Sequence, residues 1–432
     1  MKILLVGASG FIGSAIAHAL LADGHDIRAV GRDLAYGRRI LPAAHWLSCD
    51  LRSMTQAADW MPLLEGIEVA INASGALQGG LRDDLVAAQD RAIRALAEAC
   101  VAAGTAHLVQ ISAASADEQD SEFMQTKARA DAAVAAAGVP CTVLRPGLVI
   151  GRNCFGGSEL LRSAAAMPLA RIELPAAGQV QCVALADVIE AVRRVIADPQ
   201  GALGRFDLVE REGRSLGEVI ACHRRWLGFG PARLTLNLPL ALLRPATLAA
   251  DALGWLGWRS PLRSNSIAAL VFGVRGDASQ AAALLGREPL SLPAALDALG
   301  GAGKADRWHA RLALLYPLAL AALFVLWLAG GATGLARTDA AASLLVAGGF
   351  SERLARAFVL LGSFADLAIA AALLFRPTLR IGLGTGAALA LAYGLGAALV
   401  RPDLWLDPLG AFVKILPIVV LSLMCLAMGE ER

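Results

Sequence analysis

The chain begins MKILLVGASGFIGSAIAHALLADG, residues 1–24, and this stretch decides the fold. Residues 3–6 are apolar and predict a short buried strand, residues 7–13 form a glycine-rich turn, and the apolar spacing that follows predicts an amphipathic helix ending at Gly24. This order opens a βαβ unit in a parallel sheet. Because glycines let the backbone approach a pyrophosphate at the helix N-terminus, we expect the turn to bind a dinucleotide. The predicted contacts are Gly7, Ser9, Gly10, Phe11, Ile12 and Gly13.

The residue after the second predicted strand, 27–30, indicates which dinucleotide is bound. Gly31-Arg32 stands where an NAD enzyme carries an Asp or Glu that holds the ribose 2′-hydroxyl. An arginine suits a 2′-phosphate instead, so the sequence favours NADP over NAD. The alternative is that Arg32 is an ordinary solvated arginine.

Two more strand ends extend the predicted cofactor site. Residues 47–51 predict the third strand, and residues 69–72 predict a strand that runs into a turn of small residues. Small residues let a cofactor lie close to the backbone, so we expect both strand ends to line its site. The predicted contacts there are Asp50, Leu51, Ala73, Ser74 and Gly75.

This pattern resembles the short-chain dehydrogenase/reductase superfamily. Gly7, Gly10 and Gly13 have the G-x-x-G-x-x-G spacing of its extended and atypical members. The resemblance implies an α/β Rossmann-type doubly wound parallel sheet with a small extended-dehydrogenase lobe. It places the NAD(P)-binding domain at residues 1–235, with the substrate-side lobe at 152–235.

The resemblance continues along the chain. Residues 107–112 resemble the family's fifth strand, which ends at a serine that helps position substrate, here Ser112. Residues 143–147, which include Pro146, resemble the strand and loop that wrap the nicotinamide. Residues 181–188 resemble the segment of extended members that returns after a substrate-side insertion.

The family's catalytic pair, Y-x-x-x-K, is incomplete. Residues 123–127 read FMQTK, so the lysine is present as Lys127 but Phe123 replaces the tyrosine. Phenylalanine has no proton to donate, so general-acid catalysis worth roughly 10²- to 10⁴-fold is missing from this position. Atypical members of the superfamily, including the NAD(P)H-binding subunit type of respiratory complex I, also often lack the full pair.

Lys127 has two interpretations. It is one of only four lysines among 39 basic residues, and it stands where the family holds the cofactor ribose, which favours cofactor binding. The alternative is a solvated helix residue. Ser112 and Lys127 are the predicted catalytic residues, with Phe123 at the tyrosine position.

Composition indicates a membrane protein rather than a purely cytosolic enzyme. Hydrophobic residues make up 56% of the 432 residues and charged residues 18%, and the net charge of +2 is too small for a nucleic-acid-binding surface. The seven cysteines show no C-x-x-C pair, so neither a zinc site nor a disulfide framework is expected. No secretory signal peptide is expected at the N-terminus, because its apolar run is too short.

Four apolar runs in the last third of the chain predict four membrane spans, at residues 312–330, 357–375, 381–400 and 409–428. Each has 19 or 20 residues, which at about 1.5 Å per residue crosses a hydrocarbon core of roughly 30 Å. The alternative for any one run is a buried helix of a soluble core.

The region before the spans, 236–306, is predicted to be interfacial or a linker. Residues 236–258 are apolar but contain Pro239 and Pro245 and end in tryptophans. The basic residues Arg244 and Arg259 accompany this stretch. These features suit a segment that lies on a bilayer better than one that spans it.

The membrane part, 307–432, resembles the DoxX-like four-helix family, which in bacteria is found fused behind an atypical short-chain dehydrogenase domain. The matching residues include the stretch LWLDPLG, residues 404–410. Charges at membrane depth are costly and usually face the bundle interior. We therefore predict a polar cluster of Asp366, Tyr393 and Lys414 lining a small site; the alternative is an ion pair that fixes helix packing.

The predicted location is the bacterial inner membrane, with several spans and the nucleotide-binding domain in the cytoplasm. In that orientation five arginines lie on the cytoplasmic side and four on the outer side, which is a weak bias in the expected direction. The cytoplasmic ones are at positions 307, 311, 376, 380 and 432, and the outer ones at 337, 353, 356 and 401. The predicted partners are a nicotinamide dinucleotide, the bilayer and a lipophilic substrate, but no nucleic acid; protein partners cannot be identified.

Three functions are compatible with the sequence. The first is a membrane-anchored NADP(H)-dependent oxidoreductase acting on a lipophilic or quinone-type substrate. The second, favoured by Phe123, is a non-catalytic NADP(H)-binding scaffold or redox sensor. In the third, the membrane part carries the activity and the nucleotide-binding part regulates it.

Overall fold

The computed structural model describes residues 1–75, 84–154, 156–258, 260, 262–406, 410 and 412–429. The chain divides into two compact units, of which the first is Met1–Ala252 with Arg259–Arg311 and the second is Leu253–Trp258 with Leu312–Arg432. Predicted features at Arg259, Asp407, Pro408, Leu409 and Arg432 lie outside the described residues.

The first unit opens with alternating strands and helices. In chain order they are β1 (Lys2–Val6), α1 (Phe11–Ala22), β2 (Asp26–Gly31), α2 (Leu34–Ile40), β3 (His45–Ser48), α3 (Ala57–Leu64), β4 (Val69–Asn72), α4 (Ala92–Ala103), β5 (His107–Ile111), α5 (Glu122–Ala136) and β6 (Cys141–Pro146). A π-helical turn, Ala87–Arg91, leads into α4.

The rest of the first unit mixes short strands and helices. They are β7 (Leu148–Ile150), α6 (Gly157–Ala165), β8 (Ala170–Glu173), β9 (Cys182–Ala184), α7 (Leu185–Ala197), β10 (Gly204–Leu208), α8 (Leu216–Trp226), β11 (Leu234–Asn237), α9 (Leu240–Trp255), α10 (Ser264–Phe272), α11 (Ala278–Leu285) and α12 (Leu292–Ala298).

Seven parallel strands form the central sheet, in the order β3-β2-β1-β4-β5-β6-β10. The chain winds outward from β1 in one direction through β2 and β3, and then returns to add β4 on the other side. The predicted doubly wound Rossmann-type sheet is confirmed, and its topological switch point lies between β1 and β4.

Strand β1 supplies the core on both faces of the sheet because successive side chains point to opposite sides. Ile3 and Leu5 are buried in a cluster with residues of α1 and α7. Leu4 and Val6 are buried in a second cluster with residues of α3, α4 and α5. A strand that is apolar on both faces, as residues 3–6 are, needs helices on both faces of the sheet.

A third buried cluster lies in the part of the chain that contains the predicted substrate-side lobe, 152–235, and extends beyond it. It joins α6, α8 and α12 with strands β7 and β9. Two small parallel pairs, β7 with β9 and β8 with β11, lie outside the main sheet. The region predicted as a linker, 236–306, is not a separate unit, since most of it belongs to the first unit and contains α9 to α12.

The predicted strands of the central sheet match the observed ones to within two residues at each end, except at the end of the third. Strand β3 stops at Ser48, so Asp50 and Leu51 lie in the turn that follows rather than at the end of the strand. The reason is local hydrogen bonding. The Asp50 carboxylate accepts from the Arg52 backbone N–H at 3.1 Å and the Asp50 carbonyl accepts from the Ser53 hydroxyl at 2.9 Å, which closes a turn.

The second unit is helical. Its helices are α13 (Lys304–Ala336, which begins in the first unit), α14 (Thr338–Val346), α15 (Glu352–Leu374), α16 (Leu379–Val400) and α17 (Ile415–Met428), with 3₁₀ turns at Arg376–Thr378 and Pro402–Leu406. Within the described residues three helical stretches are long and apolar enough to cross a membrane: Lys304–Ala336, Glu352–Leu374 and Arg376–Val400. These coincide with the first three predicted spans.

The helix in the fourth predicted span is shorter than expected. α17 has 14 residues, which at about 1.5 Å per residue is near 21 Å and less than the roughly 30 Å hydrocarbon core. Several residues before it, 407–409 and 411, lie outside the described residues.

Candidate functional site

The carboxyl ends of the central strands bring most of the predicted cofactor-binding residues to one edge of the sheet. Gly7 follows β1, Arg32 follows β2, Ala73 to Gly75 follow β4, and Ser112 follows β5. In an open parallel sheet a ligand binds at this edge, in the crevice at the switch point. Here the switch point lies between Gly7 and Ala73.

Two glycines of the predicted turn have no room for a side chain. Gly7 has φ +80°, and a Cβ there would lie 2.7 Å from the backbone carbonyl of Ala73. A Cβ on Gly13 would lie 2.2 Å from the Gly7 carbonyl oxygen. The ends of β1 and β4 and the first turn of α1 therefore meet backbone to backbone.

The N-terminus of α1 fits a pyrophosphate. Gly10 is its N-cap and provides no side-chain cap, and the first turn contains no acidic residue. Ser9 and Gly10 are exposed, while Phe11 and Ile12 are partly buried. The first N–H groups of a helix need an acceptor, and an anion at the positive end of the helix dipole provides one. The residues present thus suit the dinucleotide that the fold implies.

Two arginines and two aspartates lie on the adenosine side of the predicted site. Arg32 is exposed after β2. The Asp50 carboxylate is bound by Arg52, whose Nε lies 3.0 Å from Oδ1. Hydrogen bonds from Arg52, and then the positive charge of Arg32, lower the pKa of Asp50. Asp33, next to Arg32, caps α2 by accepting from the Tyr36 N–H at 2.9 Å and keeps its negative charge. The charges of two arginines and two aspartates balance here, so the predicted contact with a 2′-phosphate depends on Arg32 itself and not on a net positive charge.

Lys127 is buried, so the solvated alternative is wrong. Its Nζ donates to the carbonyl oxygens of Ser74 at 2.8 Å and Ile111 at 3.1 Å, at the carboxyl ends of β4 and β5. Burial lowers the pKa of Lys127 to about 8. A Cβ on Gly75 would lie 3.4 Å from this Nζ. An ammonium has three hydrogens, so one remains for a ligand at this edge.

Ser112 is placed at the predicted strand end, but its hydroxyl is already used. It donates to Asp131 Oδ2 at 2.8 Å and is buried. Asp131 Oδ2 also accepts from Arg145 Nε at 2.9 Å, and Arg145 in turn bonds Asp117 at 2.9 Å. Burial raises the pKa of Asp131. Ser112 therefore anchors a buried charge network rather than offering a proton to a substrate.

Asp131 and Arg145 are two residues of this network that were not predicted from the sequence. A signal was present, because Asp131 lies four residues after Lys127 on α5 and so shares its face of the helix. Arg145 is an interior residue of β6, whose neighbours Val143 and Leu144 are buried. A charged residue inside a buried strand needs a partner, and Asp131 supplies it.

Phe123, which stands where the family has its tyrosine, lies in the first turn of α5. Phe123 is partly buried there, one turn before Lys127. Pro146 ends β6, and its carbonyl accepts from the Ala114 N–H at 2.9 Å, so this loop packs against the one that follows Ser112.

The second unit joins two of the three residues of the predicted membrane cluster. The Tyr393 hydroxyl donates to Asp366 Oδ1 at 2.9 Å, across α16 and α15. A Cβ on Gly362 would lie 2.8 Å from that hydroxyl, and one on Gly330 3.0 Å from Asp366 Oδ2. Lys414 lies exposed just before α17, and within the described residues it forms no ion pair with Asp366.

Comparison with known proteins agrees with this division of the chain. Residues 7–165 match the model of an NAD(P)H-binding family, and residues 324–423 match that of a DoxX-like family. The chain carries an NAD(P)H-binding domain and a DoxX-like domain. The first unit has a Rossmann-type fold.

Two relatives have names that refer to lipids. A ceramide reductase of Caulobacter vibrioides is 26% identical over 258 residues, 57% of this chain and 77% of the relative. Sterol demethylase protein B of Methylococcus capsulatus is 26% identical over 326 residues, 68% of this chain and 96% of the relative.

Solved structures show the same fold for the first part of the chain. An NADPH-dependent quinone oxidoreductase of Escherichia coli, complexed with NADPH, has a TM-score of 0.53 and 20% identity, over 69% of this chain and 99% of that one. The Bordetella bronchiseptica enzyme WbmG, in complex with NAD and UDP, has a TM-score of 0.52 and 16% identity, over 71% and 94%. At these identities the likeness is one of fold.

The buried network predicts a stability effect. Asp131→Asn keeps the side-chain size but removes the negative charge beside Arg145 and Lys127, and breaking one partner of a buried ion pair costs about 3 kcal/mol. We expect a loss of this size in urea unfolding of the purified full chain. The control is Asp23→Asn, whose partner Arg193 is 2.7 Å away in an exposed pair, where we expect a loss below about 1 kcal/mol. Equal effects of the two substitutions would contradict this.

Proposed function

We propose that the protein is a membrane-anchored NADP(H)-dependent oxidoreductase that acts on a lipophilic substrate. The observation that carries this proposal is the edge of the sheet at the switch point. A glycine turn without room for side chains, an uncapped helix N-terminus and the buried ammonium of Lys127 meet there. A nicotinamide dinucleotide, when bound, supplies or accepts a hydride.

Each part of this edge has a role toward the cofactor. The N-terminal N–H groups of α1 bind the pyrophosphate, and Arg32 binds the 2′-phosphate. Lys127 uses two hydrogens on the carbonyls of Ser74 and Ile111 and presents the third to a ribose hydroxyl. The two carbonyls hold the lysine in place before the nucleotide binds, which lowers the cost of ordering it.

Reduction of a carbonyl also needs a proton at its oxygen. Phe123 has none, and the Ser112 hydroxyl is bound to Asp131. Lys127 can supply the proton, because burial lowers its pKa to about 8, close to the range in which a general acid works best. Only one hydrogen of Lys127 is left by the two carbonyls, so we assign it to the ribose hydroxyl when the nucleotide binds and to the substrate oxygen in the reduction step.

A lipophilic substrate fits the rest of the chain. Three helical stretches long and apolar enough to span a bilayer follow the nucleotide-binding part. The names of the two relatives refer to a ceramide and a sterol, both lipids. We place the protein in the bacterial inner membrane with its nucleotide-binding domain in the cytoplasm, where NADPH is available.

The alternative function is a non-catalytic NADP(H)-binding scaffold or redox sensor. It is favoured by the same two observations that weaken acid catalysis, the phenylalanine at position 123 and the engaged hydroxyl of Ser112. In that case the nucleotide would bind without reacting.

Nucleotide titration followed by single-turnover kinetics tests the proposal. The purified full chain should bind NADPH and oxidise it when a quinone or a ketone-bearing lipid is added in detergent. Phe123→Tyr should speed this step by restoring an acid, whereas Phe123→Leu should not. Absence of nucleotide binding would refute both functions, and tight binding without oxidation by any of these acceptors would favour the scaffold or sensor.

Arg32→Ala tests the cofactor preference. Loss of a charged hydrogen bond to the 2′-phosphate should weaken NADPH binding roughly 10- to 100-fold and leave NADH binding nearly unchanged. The control is Arg38→Ala, which removes an exposed arginine of α2. It should change neither the NADPH affinity nor the NADH affinity. If NADPH and NADH binding fall equally, Arg32 does not bind the 2′-phosphate.

Lys127 predicts a pH dependence of nucleotide binding. Below its pKa of about 8 the side chain has three hydrogens; above it, two remain, and Ser74 and Ile111 use both. NADPH affinity should therefore fall roughly tenfold as the pH rises from about 7 to about 9, since a charged hydrogen bond is lost. Lys127→Met should bind weakly with no such change over this range. If the NADPH affinity of Lys127→Met still falls over this pH range, a group other than Lys127 causes the pH dependence.

A further inference from the structure

The stretch between Glu218 and Asp251 carries charge of one sign only. It contains four arginines and no acidic residue, and leucine is frequent among the others. The arginines are Arg224, Arg225, Arg233 and Arg244. Within the described part of the chain, Arg225, Arg233 and Arg244 form no ion pair with a carboxylate. An apolar and basic stretch of this kind is the pattern of a surface that meets an anionic bilayer.

Strand β11 lies in this stretch with all four of its side chains exposed. It pairs only with β8, in a two-stranded sheet outside the main one. Leu234 is 59% exposed and Leu236 42%. Leu169, just before β8, is exposed as well and adopts φ +64°, so that its carbonyl accepts the N–H groups of Arg233 and Leu234. A leucine in this conformation is strained, and it adds to the same apolar surface.

The helix that follows, α9, exposes apolar side chains. Residues 240–250 read LALLRPATLAA, and most of them are exposed; Leu242 and Leu248 are 66% and 70% exposed. Its polar residues Arg244, Thr247 and Asp251 are spaced to share one face, which is the pattern of an amphipathic helix at a bilayer surface. α9 then passes from the first unit into residues 253–258 of the second, the unit that contains the apolar helices.

A cavity of about 460 Å³ next to β11 is lined by arginines. Arg171, Arg224 and Arg225 contribute to its wall, together with Phe229, Gly230 and Thr235 of β11. Arg224 is fixed by the carbonyls of Ala165, Met167 and Gly230. Arg171 pairs with Glu173 at 3.0 Å but its Nε is buried without a partner. Three guanidinium groups beside two carboxylates, Glu173 and Glu218, leave a positive site.

We propose that the surface formed by β11, α9 and this cavity lies on an anionic bilayer, with a phospholipid phosphate in the arginine-lined cavity and the leucines among the acyl chains. The exposed leucines need an apolar phase, and the arginines beside them need anions. A free phosphate would account for the cavity alone, and an apolar protein partner for the leucines alone. This proposal does not depend on the proposed catalytic activity; it assigns the first unit a face toward the membrane.

Spin-label accessibility tests the contact with the bilayer. The full chain is placed in nanodiscs of phosphatidylcholine with phosphatidylglycerol, with a label at Leu236→Cys or Leu248→Cys, and relaxation by oxygen is compared with relaxation by a water-soluble nickel complex. The control is Val101→Cys, which is 49% exposed on α4. We expect oxygen to act more strongly on the first two labels and nickel on the control. If all three respond to nickel alike, the proposal is overturned.

A second measurement tests the headgroup site. Native mass spectrometry of the full chain counts bound phosphatidylglycerol in the protein and in the double variant Arg171→Gln/Arg225→Gln. Two arginines at an anionic surface contribute enough that binding should fall roughly tenfold. The matched control, Arg38→Gln/Arg39→Gln on α2, should retain it. NADPH binding should be unchanged in both, which separates this result from a failure of the proposed function.

Inorganic phosphate serves as the competitor in the same experiment. If it displaces phosphatidylglycerol at millimolar concentration, the cavity is a site for the free anion and the lipid proposal fails. If phosphatidylglycerol binds equally well to the arginine double variant, the cavity is not the headgroup site. Retention of the lipid in the presence of phosphate, with loss in the double variant, supports the proposal.

Discussion

The structure of the first unit depends on a backbone contact that only glycine allows. The ends of β1 and β4 and the start of α1 approach so closely that a Cβ at Gly7 or Gly13 would lie well inside van der Waals distance of the backbone. This contact places the positive end of α1 at the switch point of the sheet. The nucleotide site follows from it, because the N–H groups that remain unpaired at the helix start all face the same crevice.

A buried charge network secures the other side of that crevice. Lys127 binds the carbonyls at the ends of β4 and β5, and Asp131, one turn later on α5, binds Ser112 and Arg145. The network ties a helix to three strands at the level where the cofactor binds. Its charges are balanced by close partners, which lowers the cost of burying them in a region of low polarity.

In the second unit, the hydrogen bond from Tyr393 to Asp366 joins two helices, as the buried charge network joins a helix to strands in the first unit. Small residues beside it, Gly330 and Gly362, leave the space that a carboxylate and a phenol need between helices. Polar groups among apolar helices usually mark a functional site or a packing contact, and this pair satisfies both partners. The leucines of β11 and α9 are a different case, since Leu234, Leu236, Leu242 and Leu248 are exposed among the described residues.

The sequence by itself determined the Rossmann-type sheet, the glycine turn, the position of Phe123 and three of the helices that could span a membrane. These follow from apolar periodicity and residue spacing, which are local properties. Four features of the site and of the membrane part depend on contacts between residues that are distant in sequence, and local patterns did not predict them. The tertiary structure buried Lys127 instead of exposing it, engaged Ser112 with Asp131, ended β3 before Asp50 and left Lys414 apart from Asp366. Each of these outcomes depends on which distant backbone carbonyl or charge the fold brings within hydrogen-bond distance, and no spacing along the chain encodes that distance.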